Sequence, residues 1–249
     1  MWLSSVFFVI FANIMPNTFF RFKKFIVHQE HCAMKVGTDG VLLGAWARGG
    51  GRILDIGTGT GLVALMMAQR FPHAQVDAID IDADACSQAV DNVEASPFAE
   101  KVKVECLSVQ RMAGDERRWT AYDAVVSNPP FFENALKAPA LARNRARHND
   151  TLPYDELFAA VRRLISSEGQ FSVIIPFDYR GRLEQEAALW GFHLVRRCAI
   201  RTTPAKQPKR YLLAFCLQAG ELETSEGVLE VQPGVRSEWY RQLTGDFYL

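Results

Sequence analysis

The sequence lacks the features that mark a secreted, membrane-spanning or strongly charged protein. Its five cysteines are scattered and form no Cys-x-x-Cys pair, which argues against a disulfide framework and favours reduced thiols in a cytoplasmic protein. Basic and acidic residues balance at 28 each, so any contact with nucleic acid needs a local basic patch. His28, His31 and Cys32 lack a fourth ligand at a suitable spacing, so we expect no bound metal.

A strongly apolar run opens the chain, but it fits neither a signal peptide nor a membrane span. Residues 2–14 have no basic start and no small-residue cleavage site, and they are too few to cross a bilayer comfortably. Met15 stands directly before sequence that is typical of a soluble protein. We therefore expect residues 1–14 to be a wrongly assigned start or a disordered segment, and we expect no membrane partner. An anchor that lies in the membrane interface is the alternative.

Strand-like and helix-like segments alternate from residue 52 onward. The strand segments are 52–56, 75–79, 102–107, 122–127 and 170–175, and two further β-rich runs follow at 192–201 and 210–218. The helical segments are 62–70, 83–95, 109–117, 154–166 and 180–190. Gly169 is expected to cap the helix that precedes it.

This alternation predicts an α/β fold with a doubly wound, Rossmann-like sheet. We expect seven strands, mostly parallel, with the last two forming an antiparallel hairpin at the edge. The length allows one domain over residues 15–249, made of an N-terminal extension at 15–47 and a core at 48–249. In the extension, Phe20, Phe22, Phe25 and Val27 with their basic neighbours predict a short hairpin, and residues 38–46 predict a capped helix.

A glycine-rich turn follows the first strand of this core. Asp55, Gly57, Gly59 and Gly61 occur at every second position, immediately before the helical segment 62–70. Glycine suits such a turn because it allows positive φ and close approach of a ligand to the backbone. A carboxylate in the turn would repel a dinucleotide pyrophosphate and suits a cationic ligand, such as the amino acid end of S-adenosylmethionine (SAM). Alone, a glycine pattern is a weak signal.

The second strand ends in Asp80, which is a candidate ligand for a ribose. A carboxylate at that position accepts hydrogen bonds from both ribose hydroxyls in many doubly wound nucleotide-binding folds. Asp82 and Asp84 follow closely. Either of these two could also contact the ribose, but the alternative is that they lie in a solvated helix start, where acids interact favourably with the helix dipole.

A second motif, Asn128, Pro129, Pro130 and Phe131, follows the fourth strand. The glycine turn is a weak signal alone, but the two motifs together are a strong one. An aromatic amine is a poor nucleophile because its lone pair is delocalised into the ring. The Asn128 side-chain carbonyl and the Pro129 backbone carbonyl are suited to accept its two N–H groups, which localises the lone pair. The prolines fix the backbone, and Phe131 offers a face on which an unstacked base can stack. The alternative is a merely rigid loop.

Together the two motifs resemble those of class I SAM-dependent methyltransferases that act on amino nitrogens. The segment 32–46 narrows this, because it is similar to the block that heads the bacterial tRNA methyltransferases modifying adenosine 37 of valine tRNA. The likeness runs from about Phe20 to Leu249. It implies N6-methyladenosine formation in tRNA with SAM as cofactor and with Asn128 and Pro129 orienting the amine.

The resemblance also implies that residues 35–39 border the cofactor, including Lys35, Thr38 and Asp39. One departure concerns the position after the third strand. Such enzymes often place an aspartate there, against the adenine of SAM, whereas this chain has Ser108. A serine still hydrogen bonds, so the departure bears on cofactor affinity.

Two basic segments are candidates for tRNA contact. Arg143, Arg145 and Arg147 follow the Asn-Pro-Pro-Phe motif without an acid among them and are suited to bind tRNA phosphates beside the target base. Residues 196–210 carry six further basic side chains. A solvated surface is the alternative for both segments.

Three other functions stay open at this point. N5-methylation of a protein glutamine uses a similar loop, but those enzymes usually carry a helical N-terminal domain. Guanine-N2 methylation of ribosomal RNA is the second. Only the segment 35–46, with its similarity to the tRNA methyltransferases, argues against it. A module that binds SAM or RNA without catalysis has Ser108 as its only support.

Overall fold

A computed structural model describes residues 18–30, 32, 35–129 and 152–248. The expectations for residues 1–14, Pro130, Phe131, Arg143, Arg145 and Arg147 fall outside these ranges. In the part of the chain that is described, no helix is both long and apolar enough to cross a membrane. No group of three or more His, Cys, Asp or Glu side chains within these ranges is suited to hold a metal.

Helices and strands alternate along the core as expected. The helices are α1 Thr38–Trp46, α2 Leu62–Arg70, α3 Ala83–Glu94, α4 Val109–Ala113, α5 Tyr154–Leu164, α6 Arg180–Leu189 and α7 Glu238–Thr244. Short 3-10 turns lie at Glu116–Arg118 and Phe177–Tyr179. The strands are β1 Phe19–Arg21, β2 Ile26–His28, β3 Arg52–Ile56, β4 Gln75–Asp80, β5 Val102–Cys106, β6 Tyr122–Ser127, β7 Ile165–Pro176, β8 His193–Arg201, β9 Arg210–Cys216, β10 Glu223–Val228, β11 Glu230–Gln232 and β12 Val235–Arg236.

In the described part of the chain, the central sheet has eight strands in the order β10-β8-β9-β7-β6-β3-β4-β5. Strand β9 runs antiparallel to β7 and β8, and every other pair in the sheet is parallel. The expected count of seven strands is therefore wrong by one. The β8–β9 pair is antiparallel as expected, but it does not form the edge, because the polar strand β10 pairs with β8.

The sheet separates two hydrophobic cores because successive side chains of a strand point to opposite faces. On one face, Ile53 packs with α1, α2, α7 and the β1–β2 hairpin. On the other, Leu54 and Ile56 pack with α4, α5 and α6. Helix α5 shows why these segments are helical, since its buried residues recur at helical spacing and its acids and bases stand at the matching ends of its dipole.

Three local expectations are corrected by the structure. Gly169 does not cap a helix, because α5 ends at Leu164 and β7 begins at Ile165 and runs through Gly169. The helix expected at 109–117 ends at Ala113. Helix α1 has the expected bounds, but its N-terminal cap is Gly37 and no side chain caps it.

Candidate active site

The glycine turn joins β3 to α2 at the carboxyl edge of the sheet. Gly57, Gly59 and Gly61 have φ values of 72°, 55° and 81°, in the left-handed region that disfavours residues with a Cβ. A Cβ built on Gly57 or Gly59 would meet no atom within 4 Å, so open space faces the turn. A Cβ built on Gly61, by contrast, would lie 3.5 Å from Ala89 Cβ on α3, which is an ordinary contact distance. The first two glycines therefore leave room for a ligand, whereas the third faces α3.

Asp55 lies near the end of β3, directly beneath the turn, where it organises the backbone that follows. The side chain is 1% exposed, and its Oδ2 accepts hydrogen bonds from Thr58 Oγ1 at 2.7 Å and from Ala64 N at 3.1 Å. Burial raises the pKa of Asp55 to about 7, although these two hydrogen bonds oppose the shift. The interaction of Asp55 with a cationic ligand stays a prediction.

Asp80 ends β4 beside the glycine turn. Ile56 pairs with Ile79 in the register of β3 and β4, so Gly57 and Asp80 are the next residues on each strand. The Asp80 carboxylate accepts from Gly59 N at 2.8 Å and from Asp82 N at 3.1 Å. This carboxylate thus fixes the shape of the turn from the neighbouring strand. Asp82 caps α3 by accepting from Asp84 N at 2.9 Å, which confirms the helix-start interpretation of that residue.

Ser108 follows β5, one strand further along the same edge. It caps α4, because its Oγ accepts from Arg111 N at 3.2 Å. The sequence did not indicate this role for Ser108. The hydroxyl is partly exposed, so its expected position near the adenine of a nucleoside stays a prediction.

Asn128 and Pro129 stand beside the glycine turn on the other side. Ser127 pairs with Ile56 in the register of β6 and β3, and Ser127 Oγ donates to Ile56 O at 2.9 Å. Gly57 and Asn128 therefore emerge from adjacent strand ends, whose typical spacing is about 4.8 Å. Asn128 is half-buried, its Oδ1 atom is shielded from solvent, and Pro129 is buried.

The N-terminal block reaches the same edge through α1. A Cβ on Gly40 would lie 3.1 Å from Leu62, the first residue after the glycine turn. Thr38 and Asp39 line a small cavity of about 140 Å³ with Lys209 and Arg210. The Asp39 carboxylate is engaged by Arg210, whose Nε lies 2.7 Å from Oδ2. Lys35 is exposed. Contact of Lys35, Thr38 and Asp39 with a cofactor stays a prediction.

Sequence reasoning missed several residues that hold this edge together. Asn92 on α3 donates from Nδ2 to His28 O at 2.8 Å and to Thr60 O at 2.9 Å, so it connects the β1–β2 hairpin to the glycine turn. Arg210 is the partner of Asp39, 171 positions away in the sequence. The basic run at 196–210 hinted at Arg210, but no signal linked it to Asp39.

The glycine turn, Asp80 and Asn128 lie at neighbouring strand ends along one edge of the sheet. Open space faces Gly57 and Gly59, Asp80 ends the strand on one side, and Asn128 and Pro129 follow the strand on the other side. A doubly wound sheet with these groups at the carboxyl ends of adjacent strands defines the class as a Rossmann-like, class I methyltransferase.

Comparison with known proteins supports this class and narrows it. Residues 36–175 match the family model described as "Methyltransferase small domain". The chain is 47% identical over 237 residues to the tRNA1(Val) (adenine(37)-N6)-methyltransferase of Phocaeicola vulgatus, a match that covers 94% of this chain and 99% of the relative. The protein of the same name from Klebsiella pneumoniae is 40% identical, with 94% and 96% covered. The chain therefore belongs to the tRNA1(Val) (adenine(37)-N6)-methyltransferase family, and it is an enzyme.

Solved structures agree on the fold. A predicted O-methyltransferase from Agrobacterium tumefaciens superposes with a TM-score of 0.67 at 17% identity, covering 84% of this chain and 96% of that one. The geranyl diphosphate C-methyltransferase of Streptomyces coelicolor gives 0.52 at 12% identity, with 72% and 77% covered. At these identities the likeness establishes the methyltransferase fold alone.

Proposed function

We propose that this enzyme transfers a methyl group from SAM to the N6 nitrogen of an adenine in tRNA, and that the target is adenosine 37 of valine tRNA. The observation that carries the proposal is the β3–β6 register, which brings Asn128 next to Gly57. The relatives' names supply the substrate. They favour tRNA adenine over glutamine or ribosomal guanine and over a module without catalysis. A tRNA substrate also supports a cytoplasmic location.

Cofactor binding is assigned to the glycine turn and its neighbours. Gly57 and Gly59 leave backbone open to the ligand. We assign the ribose hydroxyls to Asp80 and the adenine base to Ser108. Lys35, Thr38 and Asp39 border this space from α1 and the residues before it. When bound, SAM supplies an electrophilic methyl group on its sulfonium.

Catalysis is assigned to the strand end of β6. Asn128 Oδ1 and the Pro129 carbonyl oxygen each accept one N–H of the adenine amine, which localises the nitrogen lone pair and directs it away from the ring. The same two oxygens stabilise the positive charge that develops on the nitrogen as the new bond forms. Ser127, through its bond to Ile56, holds these acceptors beside the glycine turn. Pro130 and Phe131 would complete the loop, and Arg143, Arg145 and Arg147 would contact tRNA phosphates.

The product identifies the reaction. The protein is incubated with SAM and undermodified total tRNA, which is then digested to nucleosides. N6-methyladenosine is expected. N2-methylguanosine or a methylated protein would replace the proposal with one of its alternatives. A valine tRNA transcript in which adenosine 37 is changed to guanosine should lose the modification, whereas the unchanged transcript should gain it.

A variant pair separates chemistry from cofactor binding. Asn128→Ala removes one of two preorganised acceptors, so kcat should fall by about 10²–10³-fold while SAM affinity, measured by calorimetry, stays near wild type. Gly57→Val places a side chain in the open space and strains a positive φ, so it should abolish SAM binding in a folded protein. Wild-type turnover by Asn128→Ala on saturating tRNA would contradict the role of Asn128.

A further inference from the structure

An exposed aromatic ring stands at the carboxyl edge of the sheet, outside the groups assigned above. Phe177 follows β7 directly and is 44% exposed. Its ring stacks on the buried ring of Tyr211, with centroids 5.5 Å apart and planes 24° from parallel. Arg180 supports Tyr211 in turn, with its guanidinium 5.2 Å from the ring centre. Tyr211 therefore contacts one side of Phe177, while 44% of Phe177 stays exposed to solvent.

Two lysines lie in the loop between β8 and β9, which is joined to Phe177 by a backbone hydrogen bond at Lys209. Lys206 and Lys209 are exposed, and among the described residues neither forms an ion pair. Their neighbours differ, since Arg201 is paired with Glu226 at 3.2 Å and Arg210 with Asp39 at 2.7 Å. Asp178 is an exposed acid next to Phe177, so the patch carries a net charge of about one positive unit.

Hydrogen bonds fix the backbone of Phe177 and of the loop that carries the two lysines. Phe177 N donates to Lys209 O at 3.0 Å, and Lys209 N donates to Ile200 O at 2.8 Å. The Arg201 guanidinium donates to Lys206 O at 2.8 Å. Because these bonds join β7, β8 and the loop between β8 and β9, the backbone that carries the patch is ordered before a ligand arrives, which lowers the entropic cost of binding.

The patch lies close to the proposed point of methyl transfer. Ser127 and Val173 are partners in the register of β6 and β7. Asn128 lies one residue beyond that point and Phe177 lies four residues beyond it. With regular strand spacing their Cα atoms are roughly 11 Å apart. A nucleotide that flanks a base held at Asn128 is therefore within reach of Phe177.

We propose that Phe177, Lys206 and Lys209 form a binding surface for the single-stranded nucleotides that flank the target adenine. Phe177 stacks on an unpaired base, and the lysines contact the adjoining phosphates. An aromatic face next to cations without acid partners is what single-stranded RNA requires, since stacking supplies affinity for bases and lysine supplies affinity for the backbone. This inference rests on the proposed function, because it assumes an RNA substrate at the Asn128 site.

The test measures the dissociation constant for an unmodified valine tRNA transcript at several salt concentrations. Phe177→Ala should raise the Kd about 5- to 100-fold, because one base–aromatic stack is lost, and it should leave the salt dependence unchanged. Phe177→Tyr keeps the ring and should bind like the wild type. The Lys206→Ala, Lys209→Ala double variant should weaken binding and lower the slope of log Kd against log salt by about 1–1.5.

Matched controls come from the other end of the strands, where the parallel strands begin. Trp190→Ala removes another exposed aromatic residue at the end of α6, and Lys101→Ala removes a lysine just before β5. Both should bind tRNA like the wild type. All variants should keep the melting temperature and SAM affinity of the parent protein.

Failure of this inference is distinguishable from failure of the proposed function. If wild-type protein forms N6-methyladenosine but Phe177→Ala binds tRNA within twofold of it, the stacking role is overturned. A tRNA affinity that falls equally in the Trp190 or Lys101 controls would also overturn it. If the wild type forms no N6-methyladenosine, the proposed function falls instead.

Discussion

Single residues at the candidate site are defined by what surrounds them more than by their type. Asp55 is an example, because its place in the glycine motif marks it as a ligand-facing acid, whereas the structure encloses it beneath the turn. The positions of Asp80 and Asn128 were easier to predict, since Asp80 ends β4 and Asn128 directly follows β6, at the carboxyl edge of the sheet. The pairing of Asp39 with Arg210 was beyond prediction, because it joins parts of the chain that meet only after folding.

Asp55 makes stability depend on pH in a defined direction. Its pKa is raised from 3.8 to about 7 by burial, so the folded state keeps a proton that the unfolded state releases near pH 4. The stabilising contribution is therefore complete below about pH 4 and is lost as the pH rises to 7. Asp55→Asn removes this titration. The free energy of unfolding of the variant, relative to wild type, should rise by about 2–3 kcal/mol between pH 5 and pH 8.

Denaturant unfolding at a series of pH values, without cofactor, checks this expectation. Only the slope matters, because a change in hydrogen bonding at residue 55 offsets the whole curve without tilting it. Parallel curves for the two proteins would mean that Asp55 stays ionised in the folded state.

At the scale of helices and strands, the sequence pattern was informative wherever a segment is buried on both sides. The apolar runs of β3, β4 and β6 and their spacing predicted the parallel sheet, and the bounds of β3, β6 and α2 agree with the structure. Strand β10, with the sequence Glu-Thr-Ser-Glu-Gly-Val, was missed because its outward position leaves most of its side chains in solvent. Polar segments carry no hydrophobic periodicity from which a strand is recognised.

Gly169 shows how a correct residue type leads to a wrong element. Glycine after a helix usually ends it, but here Gly169 lies in β7, where the register with β6 shifts between Tyr122 and Ala124. A Cβ at residue 169 would lie 2.5 Å from Ile165 Cγ1 and 2.9 Å from Tyr122 O. Glycine is needed because two strands approach closely at this point.

Gly169→Ala should therefore destabilise the protein by about 1–3 kcal/mol, the usual cost of overpacking, because a backbone oxygen cannot move aside as a flexible side chain does. Gly181→Ala is the control, since Gly181 lies exposed on α6 with no atom within 4 Å of a new Cβ. That change should be neutral or stabilise by up to about 1 kcal/mol. Chemical denaturation of both variants gives the comparison, and equal effects would refute the close approach at Gly169.

On the scale of the whole molecule, the two ends of the described chain pack together. Phe22 on the β1–β2 hairpin stacks near Tyr248, and Lys23 N donates to Phe247 O at 2.8 Å. The hairpin also connects to the glycine turn through Asn92. The N-terminal extension is thus part of the main core, and its aromatic residues stabilise the fold.

Phe22→Ala should lower the free energy of unfolding by about 3–5 kcal/mol, because Phe22 is 2% exposed and its loss leaves a cavity among aromatic rings. Phe19→Ala is the matched control on the same hairpin. Phe19 is 41% exposed, so its replacement should cost less than about 1 kcal/mol. A similar loss in the two variants would show that the hairpin is stabilised by something other than this aromatic cluster.

The two outer strands of the eight-stranded sheet affect whether separate molecules can pair through their sheets. Strand β10 ends the sheet on one side with Glu223 and Glu226, and β5 ends it on the other with Lys103 and Glu105. A strand from a second molecule that paired with either outer strand would place its side chains against these charged groups and remove the charged groups from water, which is unfavourable. Edge-to-edge β-pairing, the first step of one common route to aggregation, is therefore opposed at both ends of the sheet.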